Sequence, residues 1–167
     1  MQKPPTPNNE LSRLKYLNSL QLLDTEGDID LDRITQFAAK LFCVPVALIS
    51  IVDEERQWFK SKVGLEATQT PRDISFCGHA ILGDSTFVVE NTLLDERFSD
   101  NPLVTGEVSI RFYAGVPLKM LSGFKIGTLC IIDNQPREFR KQDAEILEKL
   151  ASKIVKTLEE KHVRTLK

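Results

Sequence analysis

The spacing of hydrophobic positions changes several times along the chain, and each change marks an element. Leucines at 11, 14, 17, 20, 22 and 23 give a helix from Glu10 to Leu23 with a broad apolar face, closed by Asp24-Thr25-Glu26-Gly27. A second helix begins near Asp28 or Asp30, with Ile34, Phe37, Ala38, Leu41 and Phe42 on its apolar face, and Pro45 ends it. Val46 to Val52 is apolar on both faces apart from Ser50, which predicts a central strand covered on both sides. Gln57 to Val63 alternates as an antiparallel partner, with bulky Trp58 and Phe59 on opposite faces. Phe87 to Glu90 is a short strand, and Ile110 to Leu118 and Lys125 to Asp133 form a hairpin. A last helix runs from about Lys141 into the 160s. Hairpins join the strands directly, so the fold class is α+β with an antiparallel sheet and the terminal helices on one face. The insertions between the hairpins then cover the other face and leave room for a cavity.

The densest chemistry falls between these elements, in Ile74-Ser75-Phe76-Cys77-Gly78-His79-Ala80-Ile81-Leu82. Ser75 reads as the N-cap of a short helix, its side-chain oxygen accepting from a free amide of the first turn. The stretch is either the wall of a pocket or a core helix with polar decoration. Asn91 to Val108 is long and irregular, as loops inside compact domains are when they are functional or mobile.

Composition narrows the classes. The 167 residues fit one domain, and a net charge of −2 argues against binding a nucleic-acid polymer. No apolar run reaches the ~20 residues of a membrane span, so no direct membrane insertion is expected and a cytoplasmic location is. The three cysteines, Cys43, Cys77 and Cys130, match neither a disulfide framework nor a zinc pattern, and no metal site is expected. Met1 to Asn9, with its prolines and asparagines, reads as a disordered lead-in.

The chain resembles a GAF domain over residues 11–162. The stretches that carry the resemblance include Leu20-Gln21-Leu22-Leu23-Asp24-Thr25, Arg56-Gln57-Trp58-Phe59-Lys60-Ser61, and Pro71-Arg72-Asp73 leading into the Ser75 motif. Phe98-Ser99-Asp100-Asn101-Pro102-Leu103-Val104, Ile110 to Leu118 and Ile126 to Asp133 complete it. It looks most like the GAF domains that precede bacterial GGDEF or histidine-kinase output. The resemblance implies a six-stranded antiparallel sheet with terminal helices on one face and a ligand pocket on the other. It assigns residues 1–9 to the lead-in, 10–162 to a sensory domain and 163–167 to the start of a linker to a C-terminal output domain. It further implies a regulatory module without its own catalysis, holding a non-covalent small-molecule ligand. A cyclic nucleotide, cAMP or cGMP, is the leading expectation, although the signature of phosphodiesterase-type cyclic-nucleotide modules is not cleanly present.

The expected ligand-binding residues are Phe59, Ser75, Phe76, Cys77, His79, Phe98, Asp100, Asn101, Val104, Arg111, Tyr113 and Thr128. Arg111 could pair with a phosphate or fix the loop, and Tyr113 could stack on a base; an ion pair of Arg111 with Asp95, Glu96 or Asp100 is the alternative. Asp100 and Asn101 could read base or ribose edges, or serve as ordinary turn residues. Cys77 and His79 line the pocket or are satisfied core groups. Other readings of the chain are a dimerisation module without ligand, a haem or thiol redox sensor, and a free methionine-(R)-sulfoxide reductase. Finally, Leu147, Leu150, Ala151, Ile154 and Leu158 form one stripe, which predicts a homodimer through the terminal helices.

Overall fold

The computed structural model describes residues 1–166, with side chains through Arg164. Two helices, α1 (Glu10–Ser19) and α2 (Ile29–Phe42), precede strands β1 (Val46–Val52), β2 (Arg56–Val63) and β3 (Gln69–Pro71). A short helix α3 (Phe76–Ala80), strand β4 (Phe87–Val89) and helix α4 (Pro102–Thr105) follow. The hairpin β5 (Phe112–Lys119) and β6 (Lys125–Asp133) then leads to the long helix α5 (Lys141–Leu166). The six strands form one antiparallel sheet in the order β3-β2-β1-β6-β5-β4. β3 was missed in the sequence because its three residues carry no hydrophobic alternation.

β1 is buried along its whole length, as its two-faced apolar pattern requires of a strand with neighbours on both sides. Its odd positions, Ala47, Ile49 and Ile51, join Leu129 and Ile131 of β6 in the core under the helices. Its even positions, Val46, Leu48 and Val52, join Cys130 and Ile132 on the opposite face. Trp58 packs in the helix-side core and Phe59 on the other face, as period two dictates. A bulge follows: Ser50 pairs with Phe59 while Ile49 pairs with Ser61. The extra residue, Lys60, reverses the parity of β2. Ser61 therefore turns toward the helices and donates to Asp32 Oδ1 at 2.6 Å.

The helical layer departs from the sequence expectation in three places. α1 ends at Ser19 rather than Leu23, and Gln21 and Asp24 take positive φ in the turn beyond it. α2 is capped by Asp28, whose carboxylate accepts from the Asp30 and Leu31 amides. It then buries Leu31, Thr35, Ala38 and Ala39, so Phe37 and Leu41 lie exposed while Ile34, Ala38 and Phe42 pack from the expected face. The α5 stripe Leu147, Leu150, Ala151, Ile154 and Leu158 is buried against the sheet of the same chain and leaves nothing for a seam on that side. α5 continues through the expected linker at 163–167, of which Lys167 lies outside the described residues. Among the described residues no helix is long and apolar enough to cross a membrane.

The lead-in also differs. Residues 1–9 lie across α3 instead of being disordered: the Gln2 amide donates to the Arg97 carbonyl at 3.0 Å, and Lys3 pairs with Asp73. Pro4 rests on Gly78, where a Cβ would come within 2.7 Å of both Pro4 Cγ and Ser75 Oγ. Low packing potential in those residues did not anticipate a surface already shaped to receive them.

Candidate functional site

The face of the sheet away from the long helices is roofed by α3, α4 and the segments around them. Ser75 caps α3, as its position in the sequence predicts, accepting from the Gly78 amide at 3.1 Å and donating to the Arg72 carbonyl at 2.7 Å. That cap turns Phe76 and Cys77 inward onto β5 and β6, in the cluster that holds Tyr113 and Cys130. Asn101 caps α4 through the Leu103 amide, and its Nδ2 donates to the Ile74 carbonyl at 3.0 Å, joining the two roof helices. Between roof and sheet lies a cavity of about 60 Å³, lined by Leu48, Phe59, Leu65, Ala67, Leu103 and Ile110 among others. Drug-sized ligands occupy pockets of roughly 300–1,000 Å³, so this cavity accepts only a very small guest unless the roof moves.

One edge of the cavity is polar. Gln57 Nε2 donates to Thr70 Oγ1 at 2.6 Å, and Ser50 Oγ donates to Gln57 Oε1 at 3.1 Å. Cys77 Sγ lies 3.1 Å from Tyr113 Oη and receives the Thr128 hydroxyl at 3.1 Å. Burial pushes the Cys77 thiol up, but its polar neighbours Cys130, Ser50, Thr128 and Tyr113 outweigh that and lower its pKa to about 6. Cys130 moves the other way: its hydrogen bond to Cys77, then burial, raise it well above the ordinary thiol value. Tyr113 is raised by burial and by the neighbouring Cys77 charge.

Beside this cluster the aromatic side chains interlock. Phe76 and Phe98 stack at 4.1 Å with rings 9° from parallel, and Tyr113 tilts against Phe76 at 5.1 Å. His79 meets the Phe98 ring edge-on at 5.0 Å, and the Arg97 guanidinium covers Phe87 and Phe98. His79 Nε2 lies 3.1 Å from the Gln2 carbonyl, which can only accept, so Nε2 carries the proton of the neutral ring. Burial lowers the His79 pKa and favours that neutral form.

Of the twelve residues expected at the site, Phe59, Phe76, Cys77 and Tyr113 line the cavity. Thr128 stands behind Cys77, and Phe98 and Val104 are buried in the roof. Arg111 neither faces the cavity nor forms the alternative ion pair: its Nη1 donates to the carbonyls of Val104 at 2.8 Å and Ile110 at 3.1 Å and fixes the loop. Asp100 is exposed and pairs with the N-terminal amine, outside the cavity, as does Asn101 in its capping role. Ser75 and His79 are likewise occupied by the fold. The lining residues that escaped notice, Leu48, Gln57 and Ile132, were marked only by period two on β1, β2 and β6. Leu65 and Ala67 had no such signal.

A hollow of about 180 Å³ lies on the other side of the molecule, beside Asp28, Lys60 and Lys161. Its cations are committed: Lys60 to Thr25 Oγ1 and the Glu26 carbonyl, Lys161 to Asp28. Among the described residues no group of three or more His, Cys, Asp or Glu side chains is gathered as a metal site.

The contact of Gly78 with the lead-in gives a direct expectation. Gly78→Ala pushes Pro4 off α3 and disturbs the Ser75 cap, at a cost of about 1 kcal/mol. Limited proteolysis should cut within residues 1–9 sooner in the variant, with the remaining domain intact.

The family model described as the GAF domain matches residues 30–158. The chain is 47% identical over 152 residues to a cyclic di-GMP phosphodiesterase of Pseudomonas aeruginosa, an alignment covering 90% of this chain and 26% of that protein. It thus spans about a quarter of the curated relative's length. Among solved structures it is similar to the GAF domain of an Acinetobacter phosphoenolpyruvate-protein phosphotransferase. That likeness has a TM-score of 0.67 and 19% identity, over 97% of this chain and 100% of the other. It is similar as well to the free methionine-R-sulfoxide reductase of Neisseria meningitidis solved with its substrate. Here the TM-score is 0.66 with 20% identity, over the whole of both chains. At these identities the two structures bear on the fold alone.

Proposed function

The chain belongs to the GAF domain family, and from that premise we propose that it is a regulatory, non-catalytic sensory module in the cytoplasm. Its output is cyclic di-GMP signalling, the process named in its Pseudomonas relative. Its ligand is a small molecule with an apolar body and a single hydrogen-bonding group. The observation that carries this reading is the cavity beneath α3 and α4, apolar except for the edge formed by Gln57, Thr70 and Cys77. The cyclic nucleotide expected from the sequence fits this geometry poorly. The cavity has no cation for a phosphate, because Arg111 is committed to two backbone carbonyls, and its volume is far below that of a nucleotide site.

The ligand shifts the output only through its difference in affinity between two roof arrangements. β1 and β6 transmit the change, since each carries cavity residues on one face and residues packed under α2 and α5 on the other. A homodimer through the terminal helices would use their outward sides, where Phe37, Leu41 and Ile146 are exposed.

Titration of the labelled protein with indole, benzoate, cAMP and cGMP, followed by NMR, tests the reading. An apolar probe is expected to shift Leu48, Leu103 and Ile110 saturably, and Ala67→Phe, which fills the rim, to abolish the shift. Saturable shifts with cAMP or cGMP alone, centred on Arg111 and Asn101, would return the assignment to a cyclic nucleotide.

A further inference from the structure

Two of the three cysteines are buried on the walls of the same cavity, and we propose that Cys77 and Cys130 form a redox pair. A hydroperoxide oxidises Cys77, and Cys130 resolves it as an intramolecular disulfide. The inference does not rest on the sensory ligand proposed above, and either can fail alone.

Geometry supplies the pairing. Thr128 and Cys130 are two residues apart on one face of β6, and the Thr128 hydroxyl reaches Cys77 Sγ at 3.1 Å. Cys130 and Cys77 line the same cavity, and each thiol shifts the titration of the other. The hydroxyls that meet Cys77 come from two strands, Tyr113 on β5 and Thr128 on β6, and Ser50 on β1 and Cys130 on β6 stand beside them. Such a cradle favours the thiolate, which is the form that attacks peroxide. When Cys77 ionises, the Ser50 hydroxyl can leave Gln57 and donate to sulfur instead.

Access follows from the cavity, which both cysteines line. Its rim residues Leu65, Ala67, Leu103 and Val108 are only partly buried. A water needs only about 10–15 Å³ of such space, so the cavity has room for hydrogen peroxide. Cys43 is the contrast: it is exposed, caps α2 in the left-handed conformation, and its thiol donates to the Lys40 carbonyl at 3.5 Å.

The chemistry balances. Cys77 sulfur attacks one peroxide oxygen, the O–O bond breaks, and the departing hydroxide takes a proton to leave as water. The product is a sulfenic acid at Cys77. Cys130 sulfur then attacks Cys77 sulfur, the S–O bond breaks, and the hydroxyl leaves with the Cys130 proton as a second water. Each sulfur gives up one electron, and the peroxide is reduced by two. The disulfide ties α3 to β6 and removes the acceptor that Tyr113 and Thr128 share.

The test uses reduced Cys43→Ser protein exposed to hydrogen peroxide, then unfolded, alkylated and mapped by mass spectrometry. Both remaining thiols should become unavailable to alkylation, and the protein should lose the mass of two hydrogens through a Cys77–Cys130 linked peptide. In Cys43→Ser/Cys130→Ser, dimedone should trap a sulfenic acid on Cys77. In Cys43→Ser/Cys77→Ser, Cys130 should stay reduced. Persistence of both alkylatable thiols in Cys43→Ser, or dimedone labelling of Cys130 in the Cys77 variant, overturns the proposal. If the Cys77 variant does not fold, the peptide map and the Cys130 variant decide the matter by themselves.

Discussion

Glu10→Ala is expected to remove about 3–5 kcal/mol of folding stability, because it strips the counter-charge from two buried guanidinium groups. Glu10 accepts from Arg13 Nε and Nη2, both at 2.9 Å, in a forked pair, and from Arg72 Nη1. Arg13 is 1% exposed and Arg72 7%. Each guanidinium also reaches a backbone carbonyl, Arg13 that of Lys125 and Arg72 that of Asp53. The triad therefore joins α1, β6 and the turn before α3, which is the underside of the roof. Urea unfolding at neutral pH should show the loss as a lower midpoint with an unchanged slope, and Tm should fall by on the order of 10 °C. The same group sets an acid limb. Burial raises the Glu10 pKa, but the bonds and charges of Arg13 and Arg72 outweigh it and lower it from 4.5 to about 2. A carboxylate lowered on folding stabilises fully above its unfolded pKa, and the contribution disappears as pH falls from about 4.5 toward 2. Glu10→Gln should thus flatten stability against pH in that window. An unchanged acid limb in Glu10→Gln would show that another carboxylate controls it.

The triad illustrates what the sequence could convey. The strands were legible because β1, β5 and β6 are apolar on alternate or both faces, and the Ser75 and Asp28 caps because a short polar side chain precedes each helix. Glu10, Arg13 and Arg72 carried no such mark: charged residues on a helix and in a turn read as solvated, and only the sheet topology brings them together. The same limit applies at the site. Arg111 and Tyr113 share a strand face by period two, yet Arg111 lies just before β5, where free carbonyls at the end of the loop capture it. Asp100 and Asn101 are neighbours with opposite fates, one exposed and one 1% exposed, a difference decided by the Ile74 carbonyl 27 residues away. Polar side chains were read as ligand contacts when the backbone of the roof already needed most of them.

Phe98→Ala should have an effect of similar size, about 3–5 kcal/mol, through a cavity in the aromatic cluster. Phe98 is fully buried, stacked on Phe76, with His79 and Phe87 meeting its ring edge-on and Arg97 over it. Its backbone also closes the turns of the roof: its amide donates to the Asp95 carbonyl, and its carbonyl accepts from the Asn101 amide. Loss of the ring therefore removes the anchor between α3 and the segment that leads into α4. Asp100→Ala, two residues away, removes an exposed ion pair and should leave stability nearly unchanged. Hydrogen exchange distinguishes an anchor from a mere core filler. Amides from 95 to 110 should exchange much faster in Phe98→Ala, whereas those of β1 and β6 should slow or quicken only with global stability. Uniform acceleration across sheet and roof would mean that the roof has no local opening of its own. A sensory mechanism needs a local opening of this kind, because a cavity of about 60 Å³ admits a larger ligand only when its roof moves.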